Sequence, residues 1–163
     1  KNVEGILHCV KKGKINSIIL NYDEDSQSFF YWYQQLVAES LGKKGKGINP
    51  VLSVAPRDHH SLLQLYLDGP KDKFFTFFSS STKSDKKMES IVNAQCKATK
   101  NIFRKKKIPY RQFFLKKNDE SELGSIFTFF VLETILLARL MNINPFDQPA
   151  VEQVKIETKK ILR

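Results

Sequence analysis

The chain has 163 residues and carries 27 Lys and Arg against 17 Asp and Glu, a formal charge of +10. That length accommodates one ordinary domain and excludes a comfortable two-domain enzyme, and about 70% of the unfolded surface can be buried at that size. Hydrophobic residues make up 41% and aromatics 12%, including 13 Phe, which is apolar surface enough to exclude wholesale disorder.

The positive charge favours anionic partners without choosing among nucleic acid, lipid and phosphorylated metabolites. Two cysteines, Cys9 and Cys96, are too few for a disulfide scaffold and lack the spacing of a tetrahedral zinc site, which points to a reducing, cytoplasmic setting. The apolar run at 126–141 is interrupted by Glu133 and Arg139. It reads as a core helix, short of the roughly 20 uninterrupted apolar residues that span a bilayer. The chain opens on Lys1 with no initiator Met and no signal-peptide pattern, so a fragment of a longer protein is expected.

In chain order, residues 15–22 are β-branched and nearly all apolar, the pattern of a strand covered on both faces. Residues 26–41 place Phe29, Phe30, Tyr33, Leu36 and Val37 at helical intervals, with Gly42 as the stop. A strand at 50–55 follows, then a helix from an Asp58 N-cap to about Leu67, then a strand at 74–78. A polar loop is expected at 79–85, a helix at 86–107, a strand at 110–115 and a helix at 119–141 opened by an Asp119/Glu122 capping box. A last helix begins near Asp147, its expected N-cap, with Pro149 in its first turn. Strands alternating with helices predict an α/β fold, a three-layer αβα sandwich around a mainly parallel sheet with right-handed crossovers. Ligands in such folds sit at the carboxyl ends of the strands, after Tyr22, Ala55 and Phe78.

Gly42-Lys43-Lys44-Gly45-Lys46-Gly47 has the look of a phosphate loop but lacks the spacing and hydroxyl residue of a Walker A sequence, so a basic loop is the better reading. Arg104 to Lys107 has no aromatic platform beside it, which favours a solvated helix end over nucleic-acid binding. His59 and His60 are adjacent and cannot chelate as an i, i+4 pair, so no metal is expected there. From position alone, His60 is either a proton-transfer group or an ordinary helix-start histidine, and Glu39, four residues after Gln35, reads as a surface glutamate. Gln148, Glu152 and Lys155 fall on one face of the last helix, where Gln148 sits among unpaired backbone amides.

Three segments in order resemble the glucose-6-phosphate isomerase family. Trp32-Tyr33-Gln34-Gln35-Leu36-Val37-Ala38-Glu39-Ser40-Leu41-Gly42-Lys43 is similar to its W-x-x-Q-L-x-x-E-S-x-G-K segment. Asp58-His59-His60-Ser61-Leu62-Leu63-Gln64 is similar to its Q-H-S/A-x-x-Q segment, with His59 where Gln is usual. Residues 138–155, containing Phe146-Asp147-Gln148-Pro149-Ala150-Val151-Glu152 and ending in Lys155, resemble its C-terminal signature.

The resemblance implies that residues 1–163 are the C-terminal sugar-isomerase (SIS) domain, flavodoxin-like in fold, of a dimeric cytoplasmic enzyme. That enzyme interconverts glucose 6-phosphate and fructose 6-phosphate in glycolysis and gluconeogenesis through a cis-enediol(ate). It assigns Glu39 as the base between C1 and C2, His60 with Lys155 to ring opening, and Gln148 and Gln35 to substrate binding. No metal or organic cofactor is required, and neither nucleic acid nor membrane is an expected partner. The family's phosphate-holding loop and Gly-Gly-Arg segment are not matched here, so this chain alone should be nearly inactive. The competing expectation is a non-catalytic SIS domain that binds a sugar phosphate for regulation.

Overall fold

A computed structural model describes residues 1–81, 86–117 and 119–162. The elements are α1 (Asn2–Lys11), β1 (Asn16–Asn21), α2 (Gln27–Leu41), β2 (Asn49–Val54), α3 (Asp58–Ser61), α4 (Leu63–Asp68) and β3 (Lys73–Ser80). These are followed by α5 (Lys86–Lys105), β4 (Tyr110–Leu115), α6 (Glu120–Leu140) and α7 (Pro149–Ile161), with a short 3-10 turn at Glu24–Ser26 before α2. The sheet has the order β2-β1-β3-β4, and every pairing is parallel. The fold is the expected α/β sandwich.

Alternation along the strands divides the core in two, because successive side chains point to opposite faces. Ile19, Phe74, Phe78 and Leu115 face α1, α2 and α6, where they join Phe30, Tyr33, Val37, Phe130 and Leu137. Ile18, Leu20, Phe75 and Phe77 face α4 and α5, where they join Tyr66, Cys96 and Phe103. Aromatic rings interlock in both layers. Phe30 meets Phe78 edge-on at 4.7 Å, and Phe103 meets Phe75 at 4.7 Å, the T-shaped geometry that ring quadrupoles favour.

A buried ion pair interrupts the first layer. Arg111 on β4 grips Glu133 on α6 with two nitrogens, one bond measuring 2.9 Å. Its Nε donates to Thr76 Oγ1 at 3.0 Å, and its guanidinium lies 5.2 Å from the Phe113 ring centre. Burial pushes the neighbouring Tyr33 hydroxyl up to about 12. Glu133 therefore does not break the apolar run at random. It is the counter-ion of a charge buried on the sheet. By length and composition α6 would also suffice to cross a membrane, against the sequence expectation, yet its inner face packs into the core through Ile126, Phe130, Leu137 and Ala138.

Several local expectations need correction. Residues 2–11 form a helix that carries no side-chain N-cap and that sequence signals did not mark. Asp58 is not an N-cap. Its Oδ2 turns back to accept from Val54 N at 2.7 Å and Ser53 Oγ at 3.1 Å, and the helix expected to run to Leu67 breaks at Leu62. Ser79 and Ser80 belong to β3 rather than to a loop, while residues 82–85 of that expected loop lie outside the described residues. The Asp119 cap forms, with Oδ1 accepting from Glu122 N at 2.9 Å, but Glu122 returns its carboxylate to Lys117 N rather than closing the box. At α7 the N-cap position is Gln148 and not Asp147, and Pro149 opens the helix.

Candidate functional site

Glu39 lies in the last turn of α2, whose buried face is made by Phe29, Phe30, Tyr33, Val37, Ser40 and Leu41. That packing turns Gln35 and Glu39 outward together, one helical turn apart. Gln35 Nε2 donates to Glu39 Oε1 at 3.1 Å. The helix stops at Gly42, whose amide returns to Ala38 O at 3.0 Å and where a Cβ would stand 2.7 Å from that same oxygen.

The second half of the arrangement comes from the turn between α6 and α7. Gln148 Nε2 donates to Glu39 Oε2 at 2.7 Å, so each carboxylate oxygen accepts from one uncharged amide donor. Two lysines of the glycine-rich loop tie this turn to the end of α2. Lys43 Nζ donates to Asn144 O at 2.6 Å and pairs with Asp147 Oδ1 at 3.0 Å. Lys46 Nζ donates to Met141 O at 2.9 Å, a carbonyl left unpaired by the end of α6. The hydrogen-bonded Lys43 ammonium holds the Asp147 carboxyl below its ordinary value. The loop thus ties the end of α2 to the turn before α7.

Between these segments lies a pocket of about 420 Å³ lined by Ala38, Glu39, Lys43, Ile143, Gln148 and Val151 among others. Of the sequence-named residues, the structure brings together Gln35, Glu39 and Gln148. Lys155 stands apart, about 10 Å along α7 from Gln148 at 1.5 Å per residue, with its Nζ on Glu152 Oε1 at 2.6 Å.

His60 is exposed and sits in α3, just beyond the carboxyl end of β2. Because β1 and β2 run parallel, the connecting α2 must return to the edge where strands begin, so Glu39 and His60 occupy opposite edges of the sheet. Strands of six residues put those edges about 20 Å apart.

The carboxyl edge, where a ligand was expected, carries a separate cavity of about 300 Å³ lined by Tyr22, Asp23, Ala55, Pro56 and Ser80 among others. His59 meets Tyr22 beside it, Nε2 to OH at 2.8 Å. Burial and the neighbouring His60 hold His59 below its usual range, against the pull of Asp58. Among the described residues no three His, Cys, Asp or Glu side chains gather closely enough to hold a metal ion.

No protein-family profile matches the chain. Among curated proteins it is 35% identical over 170 residues to "Glucose-6-phosphate isomerase" of Methanocaldococcus jannaschii, covering 94% of this chain and 42% of that protein. It is 37% identical over 158 residues to "Probable glucose-6-phosphate isomerase" of Methanococcus maripaludis, covering 88% and 36%, and 32% identical over 177 residues to the Campylobacter jejuni protein of the first name, covering 95% and 44%.

Among solved structures, a hypothetical protein from Thermus thermophilus superposes with a TM-score of 0.84 at 24% identity, over 98% of this chain and 44% of that one. A glucose-6-phosphate isomerase from Chlamydia trachomatis gives 0.83 at 17%, over 98% and 37%, and both likenesses show the fold. The chain spans less than half the length of the relatives it matches. Along most of its own length it is homologous to one part of proteins named glucose-6-phosphate isomerase.

Proposed function

We propose that the protein is a glucose-6-phosphate isomerase, and that this chain is its carboxyl-terminal SIS domain, supplying the groups that move the proton. The observation that carries the reading is the Glu39 carboxylate, half-buried at a pocket and held by an amide on each oxygen, Gln35 at 3.1 Å and Gln148 at 2.7 Å. Two glutamine donors fix where the carboxylate points without adding a counter-charge, which is what a general base facing two adjacent carbons needs. On the open-chain sugar, Glu39 takes the proton from C2 as the C1 carbonyl becomes an enol(ate). It returns that proton to C1 as the C2 hydroxyl passes its own proton to O1 and becomes the ketone. Gln148, through the second N–H of the same amide, donates to the oxygen on which charge develops.

Ring opening falls to His60, assisted by Lys155. Since His60 and Glu39 stand at opposite edges of one sheet, His60 serves the site of a second subunit, which supports a homodimer. The substrate phosphate is anchored by the part of the protein outside this chain. The isolated 163-residue chain therefore folds but turns over little, because positioning by remote binding energy is missing. The setting is the cytoplasm, in glycolysis and gluconeogenesis.

The test is an isomerase assay on the full-length protein with Glu39→Gln beside wild type. A loss of about 10²–10⁴ in turnover is expected for a general base. Wild-type-like turnover in the variant would remove Glu39 from the mechanism.

A further inference from the structure

We propose that Lys43 is a positioning residue, holding Gln148 in register with Glu39. The two partners of the pair belong to segments 109 positions apart, and something must fix the gap between them. α7 has no buried residue, and its N-cap residue Gln148 makes no side-chain capping bond to the helix, so neither packing nor a cap of its own holds this end. Lys43 does so from the other side. It follows Gly42 at the end of α2, four residues after Glu39, and its side chain is only 9% exposed. Its ammonium makes two bonds, to Asn144 O and to Asp147 Oδ1, both within four residues of Gln148.

Charge-assisted bonds of this kind are about twice as strong as neutral ones. One buried cation thus sets the distance from the end of α2 to the start of α7, and with it the 2.7 Å contact in the pocket. Lys46, bound to Met141 O, anchors the turn further upstream and does not reach Gln148. The role in turnover rests on the isomerase reading above, whereas the role in geometry does not.

The experiment follows both. Lys43→Met and Lys43→Arg are made in the full-length protein, with Asp147→Asn as a second route to the same clamp. One readout is the side-chain amide signal of Gln148 by NMR, with amide exchange across 144–148. The other is kcat against KM for isomerisation.

Lys43→Met and Asp147→Asn should move the Gln148 amide signal towards that of free glutamine and speed exchange in the turn. They should lower kcat by about tenfold or more, as small misplacements of reacting groups do, with KM little changed and the rest of the spectrum intact. Lys43→Arg should restore part of both. An unmoved Gln148 signal in Lys43→Met would overturn the positioning role, and a moved signal with unchanged kcat would overturn its part in turnover. Should wild-type full-length protein lack isomerase activity, the isomerase reading falls, and the Gln148 signal alone still decides whether Lys43 holds it.

Discussion

Gln148 reaches across the pocket to donate its amide to Glu39 at 2.7 Å, joining the start of the last helix to the end of the second. If that amide stabilises developing negative charge on the substrate, Gln148→Ala in the full-length protein should lower kcat by about 10²–10³, the usual loss for one such donor. Steady-state kinetics check it. A change confined to KM would mean that Gln148 binds ground state and transition state alike.

The opposite placement of Glu39 and His60 gives a second expectation. Glu39→Gln and His60→Ala homodimers should each be nearly inactive. Mixing and reassociating them should restore about one quarter of wild-type activity, because half the dimers are mixed and each has one intact site. If His60 acted within its own chain, no mixture would recover activity. The measurement is activity against mixing ratio.

The Arg111 and Glu133 pair should be expensive to break and cheap to replace. Side-chain exposures of 14% and 3% mean that Glu133→Gln leaves the guanidinium buried without its counter-charge, a loss of about 3–5 kcal/mol. Replacing both residues together by Met and Leu should cost far less, since neither charge then needs a partner. Urea unfolding of the single and double variants separates the two outcomes. Equal destabilisation of both would show that the pair matters for its shape and not its charge.

His59 should impose a pH dependence on stability. Burial first, then His60, lowers its folded value from the ordinary 6.5, so the folded chain takes up this proton less readily than the unfolded one. Stability is therefore lost as pH falls below 6.5 and levels off below the folded value. Urea midpoints measured from about pH 8 down to about pH 5 should fall in wild type and fall less in His59→Gln. The same slope in the variant would assign the dependence to other groups.

How much of this was legible in the sequence depends on how local each cause is. β4 runs over Tyr110–Leu115, the bounds expected from the sequence, and Gln35 beside Glu39 follows from helical spacing alone. α1 was not marked because Lys1 offers no side-chain cap and Gly5 weakens the pattern. Asp58 has the residue type of an N-cap, but the strand end it folds back on, Ser53 and Val54, competes successfully for its carboxylate. The contact between Gln148 and Glu39, and the two lysines that hold the intervening turn, depend on how α2, α6 and α7 converge. No spacing in the chain encodes that. The same holds for the gathering of Gln35, Glu39 and Gln148 where strands begin, while the carboxyl edge carries a cavity of its own.

The most direct measurement follows the proton itself. Full-length protein is incubated in D2O with glucose 6-phosphate, and recovered substrate is analysed for deuterium at C2. The account predicts C2 deuterium with wild type and none above background with Glu39→Gln, the variant remaining folded. Exchange at C2 by Glu39→Gln at the wild-type rate would contradict it.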